Sequence, residues 1–439
     1  MFKETSKELL DFLSKSPTAF HAVENYRQIL NADGFKELLE SEHWDIVPGG
    51  KYYVTRNNTS ILAFKVGTKL DNYSFNIVTS HTDSPTFKVK ENAEIEVKNK
   101  YTQLNTEGYG GMLCATWLDR PLSIAGRVLV SEGNSIVTKL LNIDRDLLMI
   151  PNVAIHMNRA ANDGFKYNLQ VDMLPLLSGG DDRQKDFKQI IADELGVKKE
   201  DILGHDLYLY NRMAPSIWGA NEEFISSGHL DDLQCGFASL KALLAGYNDE
   251  SIDIMACFDN EEVGSGTKQG ADSTLLRDTL VRINSALGKT EEDYHRALAS
   301  SFMLSADNAH AVHPNHPEHT DVTNCTYMNE GVVVKSHAGQ KYTSDGVSMA
   351  VVKSLASGAD VPLQYFANRS DKAGGSTLGN IAMAQASMNA VDIGLPQLAM
   401  HSSYETAGIK DTYYAISLMK ALFDSHIQET STHSLEIKS

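Results

Sequence analysis

Five short stretches of this sequence each set histidine or carboxylate side chains at the end of an apolar run. NIVTSHTDSP ends in His81 and Asp83, SGHLDDLQC offers Asp231 and Asp232, and ACFDNEEVGSG offers Glu261 and Glu262. MLSADNAH offers Asp307 and His310, and QLAMHSSYE offers His401. Carboxylates gathered in one place repel one another and push their pKa values up. A divalent cation removes that repulsion. Histidine nitrogen with carboxylate oxygen is a zinc-type donor set that also suits cobalt or manganese. Two such ions, about 3.5–4 Å apart, need a bridging carboxylate and suit hydrolysis. Each piece alone has an ordinary explanation: a local hydrogen bond for His-x-Asp, a turn or cap for Asp-Asp and Asp307, a solvated pair for Glu-Glu, a core position for His401. Their recurrence at five strand ends is what points to a metal centre. Glu261 and Glu262 are adjacent and cannot share one face of a regular element. They converge only if the chain turns after Phe258.

Two other motifs attract attention. GSGTKQG (264–270) lacks the order of a phosphate-binding loop and stands beside acidic residues, so its glycines read as turn residues. HAVHPNHPEH (310–319) spaces four histidines three apart. Pro314 and Pro317 break any helix there, so no shared face is expected, and only His310 is kept as a site candidate.

The elements that must position these groups follow from apolar periodicity. Leu9, Leu10, Phe12 and Leu13 predict a short amphipathic helix, and TAFHAVENYRQILNADGF predicts a second, ending near Gly34. KYYVTR, SILAFKVG and SFNIVTSH read as strands. From about 92 to 224 the chain is read as an inserted β-rich domain: EIEVKNKYTQL, IAGRVLVSE and SIVTKLLNI as strands, LLSGGDDRQKDF (177–188) as a mobile loop, QIIADELG as a helix and DLYLYN as a strand. From about 225, DIMACF, FMLSA, PLQYFA and QLAMH have buried-strand length. TLLRDTLVRINSAL, VSMAVVKSLASG and IAMAQASMNAV between them read as helices. That alternation predicts an α/β sheet covered by helices on both faces, formed by 1–91 with 225–439. Residues 428–439 are expected to be disordered.

Composition narrows the function classes. The chain has 439 residues, 42% of them apolar and 22% charged, with net charge −18. That length suggests two domains or one domain with a large insertion. Such acidity disfavours a nucleic-acid partner. Cys114, Cys235, Cys257 and Cys325 form no CxxC pair and read as reduced thiols. The first residues lack the apolar core of a signal peptide, and no run reaches the roughly 18 apolar residues of a membrane span. A cytoplasmic protein with no membrane partner is expected.

In order, SHTDSP, WLDRPLSIAGRVLV, IPNVAIHMNR, FDNEEVGSGTKQGA, SADNAHAVHPN, GGSTLGNI and VDIGLPQLAMHSSYE resemble the aspartyl aminopeptidase family of dinuclear zinc exopeptidases, from residue 80 to 405. The resemblance implies a central mixed sheet flanked by helices, zinc exopeptidase-like, with an inserted domain for dimerisation. It implies one zinc held by His81, Asp231 and Asp307 and a second by Asp231, Glu262 and His401, with Asp231 bridging and Glu261 as general base. Asp83 would accept a hydrogen bond from His81 and orient it. The Asp231–Asp232 peptide is a candidate cis bond. The family usually has Asp-Asn there, so Asp232 adds a charge. By the same resemblance His310, Lys335 and Tyr342 contact substrate or intermediate, His156 reaches a neighbouring subunit's site, and Arg369 serves the side-chain pocket. The implied activity is release of N-terminal residues from short peptides with a free N-terminus. Asp or Glu is favoured through Lys335 or Arg369, and neutral or apolar residues are accepted by some members. The implied assembly is a homo-oligomer, a dodecamer built from dimers. The same metal set also serves carboxypeptidases and N-acyl-amino-acid deacylases. A non-catalytic assembly protein would be marked by loss of a ligand or base, and none is lost.

Overall fold

The computed structural model describes residues 1–180, 186–432 and 434–438. Its centre is a nine-stranded mixed sheet. Ser74–His81 lies in the middle, parallel to Ser251–Phe258 on one side and to Phe302–Ala306 on the other. Every residue of these three strands is buried. That is why they read as continuous apolar runs rather than alternating ones: both faces of a central parallel strand are covered. One face packs on Phe2–Ser14, Ala19–Ala32, Leu230–Ala245, Gly346–Gly358 and Asp411–Phe423, through Tyr26, Leu233, Val352 and Leu418. The other packs on Leu275–Ala286, Glu291–Ala299 and Leu378–Gln385, through Leu276, Ile283, Tyr294 and Ala382. The α/β sheet with helices on both faces is thus as the periodicity predicts.

Three expectations need correction. IAMAQASMNAV is not one helix: the helix ends at Gln385, and Asn389–Gly394 is a strand of the central sheet. Val391 and Ile393 sit fully buried between Phe302–Ala306 and Val332–Lys335, and this two-sided burial outweighs the helical character of the preceding Ala and Met residues. EIEVKNKYTQL is a hairpin, with Val97 opposite Tyr101 and positive φ at Lys98 and Asn99. The tail expected to be disordered forms a hairpin, His426–Ser431 against Ser434–Lys438, and packs Leu435 and Ile437 against the core.

The inserted region forms its own six-stranded sheet, entered at Thr86 and last visited by Ile202–Asn211. Thr86–Val97 runs straight through residue 92, so pairing begins ahead of the expected boundary. Its core holds Phe87, Trp117, Ile124, Phe187, Ile191 and Leu207. Of the polar loop 177–188, Leu176–Gly179 is a strand and Asp186 caps Phe187–Leu195. Residues 181–185 lie outside the described ones. A five-stranded sheet, which includes Phe224–Ser227, Glu405–Gly408 and Pro396–Leu398, carries the chain past QLAMH. That stretch leaves its strand at Leu398.

Candidate metal centre and active site

The polar groups at the strand ends converge on one edge of the central sheet. His81 closes its strand and Asp307 follows directly after Ala306. Asp231 sits at the start of Leu230–Ala245 with non-helical φ/ψ, and the Asp231–Asp232 peptide is cis. After Phe258 the chain reverses through Asn260 at φ 63° into the single turn Glu261–Val263, and leaves through Gly264 at φ 94°. Adjacent Glu261 and Glu262 are thereby aimed into one cleft. Gly264 needs the left-handed region, whereas Gly266 has no such requirement. His401, also at positive φ, enters on the loop ahead of Glu405–Gly408.

Three overlapping donor sets result. Ligand atoms of His81, Asp231 and Asp307 lie within 4.8 Å of one another, as do those of Asp231, Glu262 and His401, and of His81, Glu261 and Glu262. Asp231 sits between the two histidines: Oδ1 is 3.6 Å from His81 Nε2 and Oδ2 is 3.3 Å from His401 Nε2. His401 Nε2 is also 3.3 Å from Glu262 Oε1. Asp231 Oδ1 and Glu262 Oε1 are buried and lack a hydrogen-bond partner among the described residues. Buried oxygens without donors, facing imidazole nitrogens, fit a divalent cation.

The electrostatics agree with this fit. Burial drives Glu262 far up, and the neighbouring Asp231 adds to it. Burial, then Asp307 and Asp83, raise Glu261 to about 7. Burial also favours a neutral Asp231, but His401 and His81 overcome it and hold that carboxylate well below its usual range. Burial opposes a charge on His401, yet Asp231 and Glu262 bring it to about 9. Asp232, where the resembled family has Asn, accepts from His81 N at 3.2 Å. Burial, with Asp307 and Asp231, pushes its carboxyl far up.

The supporting contacts differ from expectation at Asp83. His81 Nδ1 meets the backbone carbonyl of Asp83 at 3.0 Å, and the carboxylate lies farther away at 3.5 Å. The carboxylate accepts instead from Glu261 N (3.1 Å), Glu262 N (3.2 Å) and Tyr109 Oη (2.6 Å). It therefore holds the turn that carries both glutamates. Tyr109 comes from the inserted sheet and also accepts from Asn260 Nδ2 at 2.8 Å. The sequence reading missed it, and GYGG, which holds it, is the only local sign. Gly110 (φ 73°) leaves room for Glu262: a Cβ there would lie 3.1 Å from that residue's Cβ. Gly111 O faces His401 Nδ1 at 3.0 Å. Glu405, the last residue of QLAMHSSYE, was also missed. It accepts from Asp231 N at 3.0 Å and His401 N at 2.9 Å.

The remaining candidates are less uniform. Lys335 is buried. Its Nζ donates to Asn308 O at 2.9 Å and stands 3.7 Å from Asp307 Oδ2 and 5.8 Å from the buried Tyr342 ring. His310 lines a cavity of about 260 Å³ with Phe366, Gln397 and Met400. Arg369 reaches this cavity, but its Nε and Nη2 are taken by Asp371 at 2.9 Å and its Nη1 donates to the Glu318 carbonyl. His156 is exposed on the inserted domain, among exposed Val153, Ile155 and Met157.

This sheet, with histidines and carboxylates at its strand ends, defines the protein as a metallopeptidase of exopeptidase-like fold. It superposes on the Ape4 chain of the Ape4–Nbr1 complex with TM-score 0.93, at 35% identity over 96% of this chain and 86% of that one. It superposes on the S. cerevisiae mApe1 dodecamer's chain with TM-score 0.84, at 28% identity over 96% and 97%. The family model for aminopeptidase I zinc metalloprotease (M18) matches residues 12–423. A probable M18 family aminopeptidase 2 of Clostridium novyi is 48% identical over 425 residues, 95% of this chain and 98% of that protein. The chain belongs to the M18 family and is a metal-dependent aminopeptidase. The carboxypeptidase and deacylase alternatives are thereby set aside. No helix among the described residues is long and apolar enough to cross a membrane.

Proposed function

We propose that the chain releases N-terminal residues, Asp and Glu preferentially, from short peptides by means of a two-ion centre. The carrying observation is the pair of three-residue donor sets that share Asp231. His81, Asp231 and Asp307 would hold one ion and Asp231, Glu262 and His401 the other, zinc being the first choice for two imidazoles among carboxylates. Bound there, the ions supply Lewis acidity and make water a stronger acid. Glu261 takes a proton from the attacking water and returns it to the leaving amine. Asp83 fixes the backbone of Glu261. His310 and Tyr342 donate to the developing oxyanion, each worth about 2.7–4 kcal/mol where such donors have been removed from other hydrolases.

Lys335 carries the acidic preference. Its Nζ donates to Asn308 O and pairs with Asp307 at 3.7 Å, which leaves a donor for a substrate carboxylate, whereas the guanidinium of Arg369 is engaged by Asp371 and Glu318. The chain assembles from dimers into a dodecamer, the assembly that S. cerevisiae mApe1 forms, with exposed Val153, Ile155 and Met157 covered and His156 at a neighbour's site. Four free cysteines suit a cytoplasmic location.

Two measurements test this together. Metal counting is expected to find two ions fewer per chain in Asp231→Asn than in wild type and one fewer in His401→Ala; a full complement in Asp231→Asn refutes the bridge. A panel of aminoacyl substrates is expected to favour Asp and Glu and to fail when N-acetylated. Preference for Leu or Met removes the role given to Lys335.

A further inference from the structure

The aminopeptidase reaction leaves unused the histidine-rich segment after His310. Its prolines, expected to keep the rings apart, instead build a compact turn. Pro317 opens the single 3₁₀ turn Pro317–His319. The rings of His313, His316 and His319 follow one another at a tilt, with centroids 5.3 Å and 5.5 Å apart and interplanar angles of 36° and 31°. His316 N donates to His313 O at 3.0 Å, His319 N to His316 O at 3.2 Å, and Thr320 Oγ1 to Pro317 O at 2.7 Å. Arg369, already clamped by Asp371, donates to the Glu318 carbonyl. The backbone is thus fixed from both sides, while the side chains of His316 and Glu318 remain more than half exposed.

The ligand atoms of His316, Glu318 and His319 lie within 4.8 Å of one another, and His316 Nδ1 stands 3.1 Å from Glu318 Oε1. We infer that this turn binds one divalent transition-metal ion, separate from the catalytic centre, through His316, Glu318 and His319. An exposed imidazole–carboxylate contact by itself contributes little. Ordering three long side chains toward one point costs conformational entropy that such a contact does not repay. Ligation would repay it. Two imidazoles and one carboxylate select zinc, nickel or cobalt over calcium and magnesium, which prefer all-oxygen sets. Exposure leaves the remaining coordination positions to water. His313 and His319 also line the cavity that reaches His310, so the ion sits on its lip.

The test uses the full-length zinc-loaded enzyme. After dialysis against excess zinc, metal is counted in the wild type and in His316→Ala/His319→Ala. The expected result is one ion fewer per chain in the variant, with the catalytic ions retained. An equal count overturns the site. Calorimetric titration of nickel into zinc-loaded His319→Gln gives a second reading and avoids the double change. The affinity is expected to fall about tenfold or more, and an unchanged affinity overturns the assignment. Neither residue belongs to the catalytic donor sets, so failure here leaves the two-ion reading untouched.

Discussion

Replacing Tyr109 with Phe removes one oxygen from a domain that holds none of the proposed metal ligands, yet it should slow peptide cleavage. The hydroxyl donates to Asp83 at 2.6 Å and accepts from Asn260 at 2.8 Å. Burial, with Asp83 and Asp259, pushes the phenol far above its ordinary pKa, so it stays a donor at every working pH. Asp83 in turn holds the amides of Glu261 and Glu262. A hydrogen bond to a charged group is worth about 1.5–3 kcal/mol. If that free energy is expressed in placing Glu261, kcat/KM falls by about tenfold to about a hundredfold. The ligand atoms themselves are untouched, so the metal content should equal that of the wild type. The assay is steady-state hydrolysis of an N-terminal Asp substrate by zinc-loaded wild type and Tyr109→Phe, with metal counted in the same samples. A variant within twofold of wild type would show that the Asp83 carboxylate positions the glutamates without help from the inserted sheet. A variant that lost metal would show that the hydroxyl acts on the ligands rather than on the base.

Glu261→Gln should keep its ions and lose about 10²–10⁴ in kcat, the usual reach of a general base; full activity by the same assay would refute the assignment. Lys335→Met leaves buried Asp307 without its cation, a change that costs about 3–5 kcal/mol for a buried pair, so the chelated protein should melt at a clearly lower temperature than chelated wild type. Burial raises the carboxyl of Asp253 to about 8, above the roughly 3.9 of an unfolded chain. The folded state therefore holds a proton that the unfolded state releases. Stability from this group is full below about pH 4 and is lost as pH rises toward 8. Asp253→Asn should accordingly gain on wild type over that interval in melts taken at several pH values, and a pH-independent difference would sink the argument.

The ligand candidates were legible because a histidine or carboxylate at the end of a buried strand interrupts an apolar run, as at His81, Glu261 and Asp307. Their supports were not legible, because no local pattern records a partner far along the chain. Tyr109 and Asn260 are 151 residues apart, and Gly111 and His401 are 290 apart. Asn389–Gly394 was misread for another reason. Its Ala and Met neighbours favour helix, and only the strands on both sides of it make it a strand. The histidine turn shows the limit of treating proline only as a breaker: Pro317 opens the turn that gathers His316 and His319.

The seam between the two sheets carries a consequence for engineering. Within a few residues of one another, Tyr109 reaches Asp83, Gly111 O meets His401 Nδ1, and Leu113 N donates to His401 O at 3.0 Å. The inserted domain is therefore not a detachable module. A chimera that exchanged it for a relative's domain would have to import the stretch from Tyr109 to Leu113 together with its matching His401 loop. A swap at the sheet boundaries alone would join two well-folded halves and misalign the catalytic cleft between them.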